Sequence, residues 1–467
     1  MSAEVSGSSR RELLGRIVRQ AWPVLVSQWA GISFGVLDTA MTGHASPADL
    51  AAMGLAASIY ITVFVGLMGV VHALIPILAQ HFGAGRLAEV GATWGQGIWL
   101  ALALSACGGA VLLFPEAWLT ISGAVAPQVQ ALVSGYLKAL AVALPAALMF
   151  RTVYALGNAV SRPKVVMTIN LAAVGVKALC NGLLIYGSLG LPALGAVGAG
   201  VSTAIASWFS LAAGLWVLSH DPAFARFGLR LGRPRWAAQR ELLRLGLPMG
   251  GSYLVEVIAF TFMALLVARE GTFVTGGHQI LANLAALCYM MPMALGVAGA
   301  SLAAQAIGAQ DPRLAARTGS VTLALALAGA LLTAAIVYGG RQTIVGLYTS
   351  DAQVATVALA LLPILPLFHL SDAMQCVSSY LLRTYKVALV PMLIQAVSLL
   401  LFGLVGGWWL AFGSGRHSLA ALRGVLPDQA PAGASVMWAM AALGLALSAA
   451  LLYGWYRRVA LNAAACR

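Results

Sequence analysis

Residues 53–84 read MGLAASIYITVFVGLMGVVHALIPILAQHFGA, and 53–79 of that stretch contain no Asp, Glu, Lys or Arg. A helix needs about 20 apolar residues to cross the hydrocarbon of a bilayer. This stretch is long enough to cross it, and it has no polar face to turn towards water. Eleven other stretches read the same way: 21–43, 90–114, 131–156, 164–187, 194–219, 246–268, 279–307, 319–338, 354–382, 388–412 and 434–456. The breaks between them carry turn chemistry, with Ser-Pro at 46–47, Ser-Arg-Pro at 161–163 and Asp-Pro at 311–312. Period-2 alternation is absent, which argues against a β-barrel of the outer-membrane type. The expected fold class is all-α: a polytopic membrane protein of twelve transmembrane helices.

Composition agrees. Of 467 residues, 61% are hydrophobic and 9% charged, whereas a soluble domain carries roughly 25% charge to coat its surface. Five cysteines (Cys107, Cys180, Cys288, Cys376, Cys466) are scattered singly and read as small apolar filler. Seven histidines (His44, His72, His81, His220, His278, His369, His417) show no haem-like pairing or His-x-x-x-His spacing. The chain opens with Arg10, Arg11, Arg16 and Arg19, as a signal sequence would. The apolar run that follows is too long for a signal core and has no cleavage site, so it is expected to stay as the first span.

The end of the quoted stretch, AQHFGA at 79–84, recurs as AQAIGA at 304–309, displaced by 225 residues. The same displacement carries Pro23, early in span 1, onto Pro248, early in span 7. Two six-helix halves in the same orientation are a transporter architecture. The expected organisation is a tail (1–20), an N-lobe (21–219), a basic linker (220–245), a C-lobe (246–456) and a second tail (457–467). The linker holds Arg226, Arg230, Arg233, Arg235, Arg240 and Arg244 and reads as a solvated segment anchored on anionic lipid.

The distribution of Lys and Arg sets orientation. With the N-terminus in the cytoplasm, twenty basic residues fall on that side, in the tails, the linker and the loops near 86, 163, 315 and 385. The other side holds Arg269, Arg341, Arg416 and Arg423, while Lys138, Arg151 and Lys177 lie within or at the ends of spans. Both termini are therefore expected in the cytoplasm. The net charge of +13 reports topology and lipid contact rather than a nucleic-acid partner.

Fourteen acids exist, and three lie inside spans: Asp38 in span 1, Glu256 in span 7 and Asp372 in span 10. A charge in the bilayer core costs about 2.5–3.5 kcal/mol on insertion scales, so such acids mark ion or substrate pathways. Each is alternatively one half of a helix–helix hydrogen bond or an internal ion pair. Asp372 follows Pro363 and Pro366, which free backbone carbonyls. His369 lies one turn before Asp372, within hydrogen-bonding reach or simply in the core. Tyr289, Met290 and Met291 in span 8 precede Pro292 and offer aromatic and thioether surface, although a Met pair at this spacing also suits core packing. Lys177 is mid-span, with Asn181 one turn on along the same face. A lone buried lysine should either pair with an acid or lose its proton, and Asp38 is the one intramembrane acid in its half.

These residues resemble the multidrug and toxic compound extrusion (MATE) family, in its NorM-like branch. The segments that carry the resemblance are WPVLVSQWAGISFGVLDTAMTGH (22–44), LIPILAQHFGAGR (74–86), SRPKVVM (161–167), GLPMGGSYLVEVIAFTFMALLV (246–267) and SDAMQCVSSYLLRTYK (371–386). The pattern Val36, Asp38, Thr39, Met41, Gly43, with the AQ-x-x-GAG run, is its more specific part. The resemblance implies two pseudo-symmetric six-helix lobes and multidrug efflux by alternating access across the bacterial inner membrane. The exported compounds would be amphipathic and often cationic, exchanged for Na⁺ or H⁺. It implies a coupling-cation site at Glu256, Asp372 and Tyr289, with Glu256 and Asp372 as metal ligands only if Na⁺ is the ion. It implies an N-lobe cavity around Asp38, Lys177 and Asn181. Met290, Met291 and His369 are candidates for the substrate cavity. No cofactor beyond the coupling ion, no enzymatic activity, no nucleic acid, membrane lipid as surroundings and function as a monomer complete the expectation.

One departure stands out. Many relatives have two asparagines four residues apart in span 5, where this chain has Lys177 and Asn181. A fixed ammonium beside Asp38 would repel a cation there, so Lys177 and Asp38 are expected to form an internal pair that leaves coupling mainly to Glu256 and Asp372. Two rival readings are a lipid-linked-precursor flippase and an electron-transfer subunit. The first would want several intramembrane bases for pyrophosphate, and the second a metal or cofactor constellation.

Overall fold

The computed structural model describes residues 9–115, 127–190, 192–415 and 431–465. Arg416, His417, Arg423 and Cys466 lie outside the described residues. Twelve helices are long and apolar enough to cross a membrane, and no strand occurs among the described residues. They are α1 (Arg10–Ala45), α2 (Pro47–Gly83), α3 (Leu87–Leu113), α4 (Pro127–Ala159), α5 (Pro163–Tyr186), α6 (Gly195–His220), α7 (Trp236–Glu270), α8 (Thr272–Gly308), α9 (Pro312–Gly339), α10 (Ala352–Thr384), α11 (Leu389–Ala411) and α12 (Ala432–Ala465).

The helices outrun the apolar stretches because local chemistry, not hydropathy, ends them. Ser46 caps α2 by accepting from Asp49 N, and Asp311 caps α9 by accepting from Leu314 N at 2.9 Å. Proline occupies the first position of both, where its missing N–H is no loss. Helix α2 breaks at His72–Ala73, and α11 contains a π-helical stretch, Ala396–Val405. Such widened turns are uncommon and often lie near functional residues.

The 225-residue repeat is written into the turns. Four non-helical positions have positive φ in matching pairs: Gly85 (72°) with Gln310 (63°), and Ser161 (60°) with Lys386 (59°). The closing hydrogen bonds match as well. Arg86 N donates to His81 O as Asp311 N does to Ala306 O, and Arg162 N donates to Gly157 O as Val387 N does to Leu382 O. Three of the four positions carry a side chain in a left-handed conformation that glycine adopts more easily.

The chain forms two compact units. One, the N-unit, is Trp22–Gly250; the other, the C-unit, combines the described part of 1–21 with 251 onward. The division falls inside α1 and α7, beside Pro23 and Pro248. Residues 9–21, which hydropathy alone leaves in a tail, are helical from Arg10. Their Leu13, Ile17 and Ala21 are buried in the C-unit against Leu295, Ala298, Val377 and Leu381. Four arginines interleave with these apolar residues, which hides the stripe from a hydropathy window.

The basic segment 220–245 belongs to the N-unit and is bonded to α3 over much of its length. Gln96 Nε2 donates to Arg233 O at 2.9 Å, Trp99 Nε1 to Gly232 O at 2.7 Å, and Arg235 N to Gln96 Oε1 at 2.8 Å. Gly91 and Gly95 make this approach possible: a Cβ on either would lie 2.1 Å from Phe227 O or 2.5 Å from Arg230 O. Phe224 and Phe227 are each 1% exposed and anchor the segment. Its six arginines and Trp236 are exposed, as is Leu231.

Candidate functional site

In the N-unit, Asp38 on α1 meets Lys177 and Asn181 on α5. Lys177 Nζ lies 2.7 Å from Asp38 Oδ1, and Asn181 Nδ2 donates to the same oxygen at 2.9 Å. An ammonium has three protons to place. Besides Asp38, Lys177 Nζ donates to Thr203 Oγ1 at 2.7 Å and lies 3.4 Å from Ala199 O, both on α6. The ring of Phe34 stands 5.5 Å from the ammonium. Tyr136 on α4 adds a hydrogen bond to Asp38. Lys177 and Asn181 are both 0% exposed. The lysine therefore pairs with the acid, and its ammonium is fully partnered, while Asn181 Oδ1 is buried without a hydrogen-bond partner.

The C-unit is organised differently. Gln375 Nε2 donates to Glu256 Oε1 at 2.9 Å and also bonds Asp372. Gln395 Nε2 donates to Glu256 Oε1 at 3.2 Å and to Gln375 Oε1 at 2.6 Å. Tyr289 on α8 hydrogen-bonds Glu256, and the Cys376 thiol lies 3.6 Å from its hydroxyl. Glu256 and Asp372, with Tyr289, are thus brought together by α7, α8, α10 and α11. Neither acid has a basic group within ion-pair distance among the described residues. Gln395 is the last α-helical residue before the π-helical stretch, and its Oε1 is buried without a partner.

One turn beyond these polar residues lies a small apolar pocket. Phe260 follows Glu256 by four positions, Phe368 precedes Asp372 by four, and Leu399 follows Gln395 by four; all three line it, with Met263, Gly403 and Met437. Phe260 and Phe368 pack edge to face at 5.8 Å, and both meet Trp438.

The other sequence candidates fall elsewhere. His369 is buried, makes no hydrogen bond to Asp372, and has an unpartnered Nε2. Met291 packs in the C-unit core, its sulfur against Gly329 on α9, and Met290 is half-buried. Sequence reasoning missed Tyr136, Thr203, Gln375 and Gln395, because it searched the spans for charge. The signal was available: Gln375 is one turn from Asp372, and Gln395 is an amide inside an apolar run. By hydropathy and charge Arg383 belongs with the loop near 385. It is instead in the last turn of α10 and 4% exposed.

Comparison with known proteins follows the same two-part plan. The MatE family model matches residues 23–183 and 248–409, two segments that begin 225 residues apart. A probable multidrug resistance protein NorM from Aromatoleum aromaticum is 38% identical over 453 residues, covering 96% of this chain and 95% of that protein. The multidrug resistance protein NorM of Vibrio vulnificus is 31% identical over 428 residues, covering 88% of this chain and 94% of that one. Among solved structures, the eukaryotic MATE transporter AtDTX14 superimposes with a TM-score of 0.85 at 18% identity, covering 97% of this chain and 99% of that one. A MOP superfamily transporter from Pyrococcus furiosus, described as having a binding pocket of reverse polarity, superimposes at 0.83 with 16% identity, covering 97% and 96%. The fold alone therefore does not choose the substrate, and function has to be argued from the site.

Proposed function

The chain belongs to the MatE family, a multi-pass membrane transporter rather than an enzyme, and on that premise we propose that it exports amphipathic, often cationic compounds in exchange for Na⁺ or H⁺. The exchange is an antiport by alternating access across the bacterial inner membrane. Both termini are cytoplasmic, and a monomer suffices. The names of its relatives support multidrug export.

One observation carries the coupling: the half-buried Glu256 and the buried Asp372 share a cluster whose other hydrogen-bonding members, Gln375, Gln395 and Tyr289, are neutral. Two carboxylates without a basic partner need a cation to leave water, and a proton or Na⁺ from outside supplies it. A cationic substrate offers the same complement, with its apolar body against Phe260 and Phe368 in the neighbouring pocket. Since either cation satisfies the acids, each displaces the other, and exchange follows if they favour different conformations. Apolar contacts discriminate weakly, which suits loose substrate choice. Asp38 takes no part as an ion site, because Lys177 already occupies it. The same balance disfavours the flippase reading, for which a pyrophosphate would meet mostly acids.

The test is efflux of a fluorescent monovalent cation from cells carrying Asp372→Asn or Glu256→Gln, with imposed Na⁺ and pH gradients tried separately in vesicles. Both variants should lose ion-driven efflux. Wild-type efflux in both removes the acids from the mechanism.

A further inference from the structure

We propose that Arg383 sets the charge of the C-unit's buried cluster at one negative unit, so that a single monovalent cation, not two, completes Glu256 and Asp372. The proposal rests on the reading of those two acids as the coupling site.

A guanidinium keeps its proton in any protein environment. Near the end of a span, topology alone would account for an arginine exposed to water or lipid headgroups. Arg383 is instead 4% exposed and turned into the unit. Its Nη1 donates to Tyr253 OH at 3.3 Å. Its guanidinium carbon stands 5.2 Å and 4.7 Å from the ring centres of Tyr253 and Tyr380, whose hydroxyls are 2.6 Å apart. Aromatic faces and a phenol replace part of the lost water, but they carry no net charge. No carboxylate lies within ion-pair distance of Arg383 among the described residues.

A buried charge whose neighbours are neutral must be balanced from farther off. Tyr253, the hydrogen-bond partner, precedes Glu256 by one turn of α7, and the charge of Arg383 acts on Glu256. The charged groups of this C-unit cluster are then Asp372 and Arg383, both buried, and the half-buried Glu256: two acids and one base. In the N-unit, Asp38 and Lys177 cancel. One monovalent cation brings the C-unit cluster to neutrality, and a second would leave a buried excess of positive charge. Without Arg383 the acids would call for two monovalent ions or one divalent ion.

The experiment uses purified full-length protein in proteoliposomes with the membrane potential clamped at zero, reading the accumulation of ethidium at which net flux stops. A tenfold Na⁺ or pH gradient then sustains about tenfold accumulation if one ion is exchanged and about a hundredfold if two are. Wild type should stop at the first value, Arg383→Lys likewise, and Arg383→Gln at the second. A hundredfold value in wild type, or an unchanged tenfold value in Arg383→Gln, overturns the proposal while leaving the export reading intact. No ion-driven flux in wild type overturns the export reading, and the ion count with it. Should Arg383→Gln fail to assemble, adding Asp372→Asn restores the balance of charge and should restore a monodisperse protein in detergent. Continued failure of that double variant overturns the proposal.

Discussion

The two units solve the problem of an acid inside a membrane protein in opposite ways. In the N-unit, Asp38 is matched by a lysine at 2.7 Å, and the lysine's remaining protons go to Thr203 and Ala199. In the C-unit, Glu256 and Asp372 are held by amides and a phenol, with the nearest buried base, Arg383, outside ion-pair distance. In the first arrangement the acid's charge is balanced within the chain, although Asn181 Oδ1 stays unpartnered. The second holds its acids in place without neutralising them. A repeated fold can thus hold an ion-paired acid in one half and acids without a basic partner in the other, and a count of intramembrane acids does not tell them apart.

The contrast predicts that N-unit changes damage stability and C-unit changes damage transport. The largest effect should come from Lys177→Met, which strands Asp38 without its cation. Breaking one side of a buried pair costs about 3–5 kcal/mol, to be read as lost thermal stability in detergent. Asp38→Asn with Lys177→Met should recover most of it. Lys177→Asn tests the same pair more gently: unchanged transport and unchanged pH dependence would mean that the pair has no functional weight. Next, Asp372→Asn or Glu256→Gln should lower ion-driven efflux at least about tenfold, equivalent to about 1.4 kcal/mol, with little change in melting temperature. If these variants instead melt early and transport normally, the contrast is reversed. Gln395→Leu should have a smaller effect, since a typical hydrogen bond contributes about 0.5–1.5 kcal/mol. A several-fold rise in the ion concentration for half-maximal efflux would show it. Met291→Leu should be the mildest, below about 1.5 kcal/mol and silent in transport, as expected for a volume-conserving core swap.

The twelve spans were legible because hydrocarbon thickness imposes one length on every crossing, and 53–79 meets it without a charge. The repeat was legible from AQHFGA and AQAIGA because both lead into the same left-handed turn, at Gly85 and Gln310. Glu256, Asp372 and Asp38 could be found because charge is rare in lipid. Their surroundings could not, since hydropathy weighs Gln375, Gln395, Thr203 and Tyr136 too lightly and says nothing about which way a side chain turns. Arg383 illustrates this. One helical turn decides whether an arginine near a span's end is part of the topology signal or part of the core. The basic segment 220–245 looked like a free linker because its arginines dominate the composition, while Gly91, Gly95 and Trp99, which receive it, are far away in the sequence.

The location of the unit boundaries has a consequence for how such a chain arose and how it can be divided. The repeats begin at Pro23 and Pro248, yet the segment before each proline is built into the other unit: 9–21 into the C-unit, 220–250 into the N-unit. Two unlinked copies of one six-helix half, each lending its leading segment to its twin, would form an arm-exchanged dimer. Fusing the copies would keep the exchange and make it covalent. A split of the chain at the linker, the obvious place by composition, would therefore give two fragments that each carry the other's arm. Such fragments should be recovered only when made together.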